Sequence, residues 1–116
     1  MDMNRERAKA VSIPLVKAFP DAEASKAQAV KVLEEAAEVL GAFQQFDFWR
    51  GAGIIDDYPD INLEGTLDMY EIPLVEECCD VIVATCNLLA ALGITDLTEA
   101  MAECERKNDD RGRYGE

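Results

Sequence analysis

Residues 73–92 carry apolar side chains around nearly the whole circumference of any helix they form. Val75, Cys79, Ile82, Cys86 and Leu89 recur at helical spacing, and Val81, Leu88 and Ala84 fill most of the remaining directions. A helix of this kind is covered on most sides, either by its own chain or by a second subunit. In a chain of 116 residues, enough for one domain with a modest core, few other elements are available to cover it. The expectation is therefore an all-α, four-helix bundle, a single domain over 1–116, whose core is completed by oligomerisation, as a homodimer or homotetramer.

Pro73 is expected to open this helix and Gly93 to stop it. Before it, Ser12–Phe19 reads as a short helix with Ser12 at the cap and Pro14 in the first turn. Pro20-Asp21 restarts the chain, and Asp21 is expected to cap a long helix from about Ala22 to about Phe46. Val32, Ala36, Val39 and Phe43 form one apolar stripe on it, with Leu33, Ala37 and Leu40 beside them. From Asp47 to about Glu71 glycine, proline, aspartate and asparagine supply turn chemistry, with Leu67–Tyr70 as a possible short element. A fourth helix follows Ile94-Thr95-Asp96; Asp96 and Glu99 have capping-box spacing, and Leu97, Ala100, Met101 and Cys104 make its inner face.

Two stretches break the apolar pattern with acid. In Lys31–Leu40, Glu35 and Glu38 stand one turn apart, with Glu34 adding an i,i+4 pair to Glu38; in Val75–Ile82, Glu77 and Asp80 repeat the spacing. Side by side, the two helices would bring four or five carboxylates together, a cluster that repels itself unless protons or a cation neutralise it. Hard divalent cations with oxygen ligands suit such a cluster, Mg²⁺ first, with Mn²⁺ as a substitute. The bland alternative is a pair of solvated glutamate-rich faces, weakened here by the apolar neighbours of each motif.

Composition excludes several other chemistries. A formal net charge of −13 disfavours a nucleic-acid polymer or an anionic membrane as partner, though not a small nucleotide carried with a metal. The chain has no histidine, which removes Ser/His and Cys/His nucleophiles, the Glu-x-x-His pattern of di-iron bundles and the usual zinc sets. Cys78, Cys79, Cys86 and Cys104 show no CxxC spacing and read as buried free thiols of a reducing cytoplasm. No apolar run spans a membrane and the first residues lack a signal-peptide core, so a cytoplasmic location is expected.

The order of motifs, EExxE at 34–38, ExxD at 77–80 and a terminal Lys107-Asn108-x-x-Arg111-Gly112-x-Tyr114, resembles the MazG-like nucleoside triphosphate pyrophosphohydrolases. They belong to an all-α superfamily, and the likeness covers roughly Ala22 to Tyr114. It implies Mg²⁺-dependent hydrolysis of a nucleoside triphosphate between the α and β phosphates, giving a monophosphate and pyrophosphate, in the manner of enzymes that clean the nucleotide pool. By the same resemblance Glu35, Glu38, Glu77 and Asp80 match the metal ligands, and Glu34 matches the leading glutamate that binds metal or positions water. With Glu38, Glu34 forms the expected catalytic pair. Lys107, Asn108 and Arg111 match the tail that reaches the phosphates. Lys31 either joins them or simply pairs with Glu35, one turn on; the plain ion pair is the simpler reading. Phe46 and Trp49 are the candidates for stacking a base, Trp49 the better of the two. The connector is longer than is common in that family, and Cys78-Cys79 stands where small residues are typical. The rival to catalysis is a helical metal-binding adaptor or regulatory oligomer; a purely structural bundle without metal is a third reading.

Overall fold

The structure, a computed structural model, describes residues 8–51 and 63–115, with the backbone alone over 63–68. It is all-helical among these residues, with α1 at Lys26–Arg50, α2 at Leu63–Ala91 and α3 at Thr98–Asp110. The chain divides into two compact units, residues 16–93 and residues 8–15 with 94–115.

In the first unit α1 and α2 pack as an antiparallel pair. Near one end Gln28 Nε2 donates to the Ala84 carbonyl at 3.0 Å, and near the other Trp49 stacks on Tyr70 with ring centroids 5.6 Å apart. The seam of α1 that meets α2 runs through Gln28, Val32, Glu35, Val39, Ala42, Phe46 and Trp49, all half-buried or buried. These positions alternate in steps of three and four, the spacing that keeps one face of a helix turned to a neighbour.

Several boundaries differ from expectation, each for a local reason. Ser12–Phe19 is not helical. Pro14 lacks an N–H, Pro20 disfavours helical backbone at Phe19, and eight residues are too few to offset nucleation. The Phe19 N–H instead donates to Asn87 Oδ1 at 2.8 Å. Ser25, not Asp21, caps α1, its hydroxyl accepting from the Gln28 N–H at 3.2 Å, so α1 starts at Lys26 and runs on to Arg50 rather than Phe46. Helix α2 begins at Leu63, and Pro73 lies inside it rather than at its start. The missing Pro73 N–H removes one backbone bond from a helix of 29 residues that has many others. Leu67–Tyr70 therefore belongs to α2, and residues 52–62 of the expected connector lie outside the described residues. At the far end Gly93 takes φ +82, the left-handed conformation that ends a helix, as expected.

The pair has almost no core of its own. Ala84 is the single buried apolar side chain among the described residues, whereas Leu33 is 70 % and Ile72 59 % exposed. The exposed residues are not scattered. On α2, exposed Ile72, Val75 and Cys79 and half-buried Ile82, Cys86 and Leu89 follow one another at steps of three and four, on the side opposite Leu74, Glu77, Val81 and Ala84. On α1, Val30, Leu33, Ala37 and Leu40 do the same. The cysteines are free, but Cys78, Cys79 and Cys104 are exposed and only Cys86 is half-buried, so the expectation of buried thiols is corrected.

In the second unit Asp96 Oδ1 accepts the backbone N–H of Thr98 at 2.9 Å and its hydroxyl at 2.6 Å, which lowers the Asp96 carboxyl below its usual pKa. Asp96 thus closes a turn one residue ahead of the cap position, held by Leu97. The expected inner face of α3 is open, with Met101 and Cys104 exposed along a cleft of ≈ 450 Å³ that also touches Asn108 and Tyr114.

Candidate metal centre

The acidic residues of the two motifs meet because the antiparallel register puts Glu35 of α1 opposite Glu77 and Asp80 of α2. One carboxylate oxygen from each of these three lies within 4.8 Å of the others. Glu35 is buried, Glu77 half-buried and Asp80 exposed, so the cluster opens from the helix interface toward solvent. Lys31 Nζ stands 3.0 Å from Glu35 Oε1, the ion pair expected from their spacing. That contact holds the Glu35 carboxyl below its ordinary value and raises the Lys31 ammonium.

Glu38 is the fourth acid. It hydrogen-bonds first with Glu77 and then with Glu35, and Glu35's charge repels it, so its carboxyl is pushed up to about 7. A proton shared among crowded carboxylates is the cation-free answer to their repulsion. The second answer is a metal. Glu77 Oε2 is buried and has no hydrogen-bond partner among the described residues, an arrangement that is costly for a carboxylate unless a cation faces it. All the donors are hard oxygens, and no histidine exists to supply nitrogen, so the set fits Mg²⁺ or Mn²⁺ rather than zinc.

Of the remaining candidates in the same unit, none joins the cluster. Glu34 is exposed, a quarter-turn from the α2-facing seam of α1, and is not among the residues that converge. Phe46 and Trp49 sit at the other end of the helix pair, Trp49 fourteen positions and about 21 Å along α1 from Glu35. One face of Trp49 is taken by Tyr70, and the Arg50 guanidinium lies 5.2 Å over the Phe46 ring. Lys107, Asn108 and Arg111 belong to the second unit, where they end α3. The Arg111 N–H donates to the Lys107 carbonyl at 3.1 Å, the Arg113 N–H to the Asn108 carbonyl at 2.9 Å, and Gly112 takes φ +74. The tail motif thus has a local role as a glycine-assisted helix terminus.

Three residues not singled out as ligand groups stand beside the cluster. Phe19, Gln28 and Asn87, with Ala27, Val83 and Ala84, line a cleft of ≈ 510 Å³ whose other wall is Lys31, Glu35 and Asp80. The signals were a Ser25-x-x-Gln28 capping pair and a lone asparagine in the apolar run of α2. No protein-family model, no curated protein and no solved structure matches the chain.

Proposed function

We propose that the chain is a divalent-cation-dependent nucleoside triphosphate pyrophosphohydrolase that works as an oligomer. The observation that carries the reading is the convergence of Glu35, Glu77 and Asp80 oxygens within 4.8 Å, beside a buried Glu77 oxygen that lacks a partner. Glu35, Glu77 and Asp80 would hold the ion, with Glu38 next to them. A Mg²⁺ bound there would neutralise phosphate charge and polarise phosphorus toward attack.

The chain's own residues supply the rest. Glu38, hydrogen-bonded to Glu77 and Glu35 at the edge of the cluster, is placed to take a proton from water. Water oxygen forms a new bond to phosphorus, one P–O bond of the α–β anhydride breaks, and its electron pair leaves on the phosphate fragment. Glu38 accepts the water proton. Lys31, half-exposed beside Glu35, offers a point charge to a phosphate oxygen at the rim. Lys107, Asn108 and Arg111 are proposed to bind phosphate oxygens when substrate is present, as the resemblance implies. The back seams of α1 and α2, apolar and partly uncovered, support assembly with further copies, which would supply the remaining helices of a bundle.

Incubation with each nucleoside triphosphate and Mg²⁺, read by separate assays for pyrophosphate and orthophosphate, tests the reading. Pyrophosphate release that falls at least a hundredfold in Glu77→Gln and Asp80→Asn is expected. Orthophosphate alone would move the cleaved bond. No product from any nucleotide, with Mg²⁺ still raising the melting temperature, would leave the metal-binding adaptor.

A further inference from the structure

We infer that the cleft bounded by Phe19, Gln28 and Asn87 is the seat of the nucleobase, so that specificity is read at the N-terminal end of α1 rather than by Phe46 and Trp49. The inference rests on the proposed reaction for its substrate class. The cleft shares Lys31, Glu35 and Asp80 with the acidic cluster, so a ligand whose phosphates meet those residues extends its other end into it. Gln28 and Asn87 stand seven positions from Glu35 and Asp80 respectively, about 10 Å farther along their helices. Its ≈ 510 Å³ falls within the range of small-molecule sites.

Backbone contacts set the orientation of both amides. Asn87, 3 % exposed, spends Oδ1 on the Phe19 N–H, which leaves Nδ2 as the donor it can offer. Gln28 spends Nε2 on the Ala84 carbonyl, which leaves Oε1 as an acceptor. Neither amide can be flipped without losing its bond. A donor and an acceptor on the same wall match the edge of a purine or pyrimidine, where an N–H adjoins a carbonyl or an amino group adjoins a ring nitrogen. The Phe19 ring, 58 % exposed at the rim, supplies an apolar plane for stacking.

The test uses nucleosides, which carry no phosphate and need neither metal nor catalysis. Adenosine, guanosine, cytidine and uridine are titrated into the ¹⁵N-labelled protein, and the side-chain amide signals of Gln28 and Asn87 are followed. At least one nucleoside should shift both signals saturably, and the Trp49 indole signal should stay still. Gln28→Met and Asn87→Asp, each checked by circular dichroism for an intact fold, should weaken the preferred nucleoside about tenfold and change the order of preference. With triphosphates the same variants should raise KM for the preferred base more than they lower kcat. Silent amide signals, shifts confined to Trp49, or an unchanged order in both variants would overturn the inference. Pyrophosphate release with base preference untouched by both variants would sink this assignment and leave the reaction standing. Nucleoside binding without hydrolysis would sink the reaction and leave the cleft as a nucleoside site.

Discussion

Protons and metal should compete for the same carboxylates, and Glu38 makes the competition measurable. Its carboxyl titrates at about 7 instead of the ordinary 4.5, because it is hydrogen-bonded to Glu77 and Glu35 and repelled by the latter. A divalent ion that binds only when Glu38 is ionised must displace its proton. Glu38 is ionised in about one molecule in eleven at pH 6 and about ten in eleven at pH 8, so apparent affinity should rise about tenfold from pH 6 to pH 8. Fold stability without metal moves the other way. A raised carboxyl pKa stabilises the folded state fully below about 4.5, and this is lost as pH rises through about 7. Glu35, held low by Lys31, has the opposite sign: its contribution is present above its ordinary value and lost on acidification. The assay is Mn²⁺ titration by calorimetry at pH 6, 7 and 8, with thermal melts of the metal-free protein over pH 5–8. Glu38→Gln should flatten the pH dependence of Mn²⁺ affinity and raise the metal-free melting temperature at pH 8. An affinity that does not change with pH, or a slope that survives in Glu38→Gln, would refute the proton-for-metal exchange.

Other consequences are equally direct. Val75→Asp on the back seam of α2, 53 % exposed in one chain, should leave the helical circular dichroism intact while weakening self-association at least a hundredfold, read by sedimentation equilibrium. Asn87→Ala deprives the Phe19 N–H of its acceptor and should cost about 1–3 kcal/mol in denaturant melts. Ser25→Ala removes the hydroxyl that caps α1 and should cost about 1 kcal/mol by the same measurement.

The parts of the fold legible in the sequence were those set by long-range periodicity. The apolar run of α2, its stop at Gly93 and the i,i+3 acidic pairs follow from helical spacing alone, and so does the Lys31–Glu35 ion pair. Local signals misled where two of them competed. Asp21 and Ser25 are both good caps, and what distinguishes Ser25 is that the Gln28 side chain, three residues on, reaches the Ala84 carbonyl on α2. Pro73 looked like a helix start because proline favours that position, yet ten residues before it are helical. Ser12–Phe19 looked like a helix until a distant partner, Asn87, claimed a backbone donor. The convergence of Glu35, Glu77 and Asp80 depended on register, which no single helix carries. The cleft was hidden for the same reason: Gln28 and Asn87 lie 59 positions apart and share a wall only after the helices pair.

The same shortage of core that points to assembly also says how much contact assembly requires. Completing the burial of a half-exposed aliphatic side chain returns about 1 kcal/mol, so the six-residue seam of α2 on two copies offers on the order of 10 kcal/mol. Association itself costs about 4–15 kcal/mol. That seam alone would leave a weak dimer at best. In the proposed assembly the stripe on α1, where Leu33 and Leu40 are more than half exposed, would be covered as well. Folding and assembly are then one equilibrium, and the melting temperature should rise with protein concentration. A melting temperature unchanged over a hundredfold range of concentration, with the chain monomeric throughout, would mean that the exposed seams are tolerated by a stable single chain.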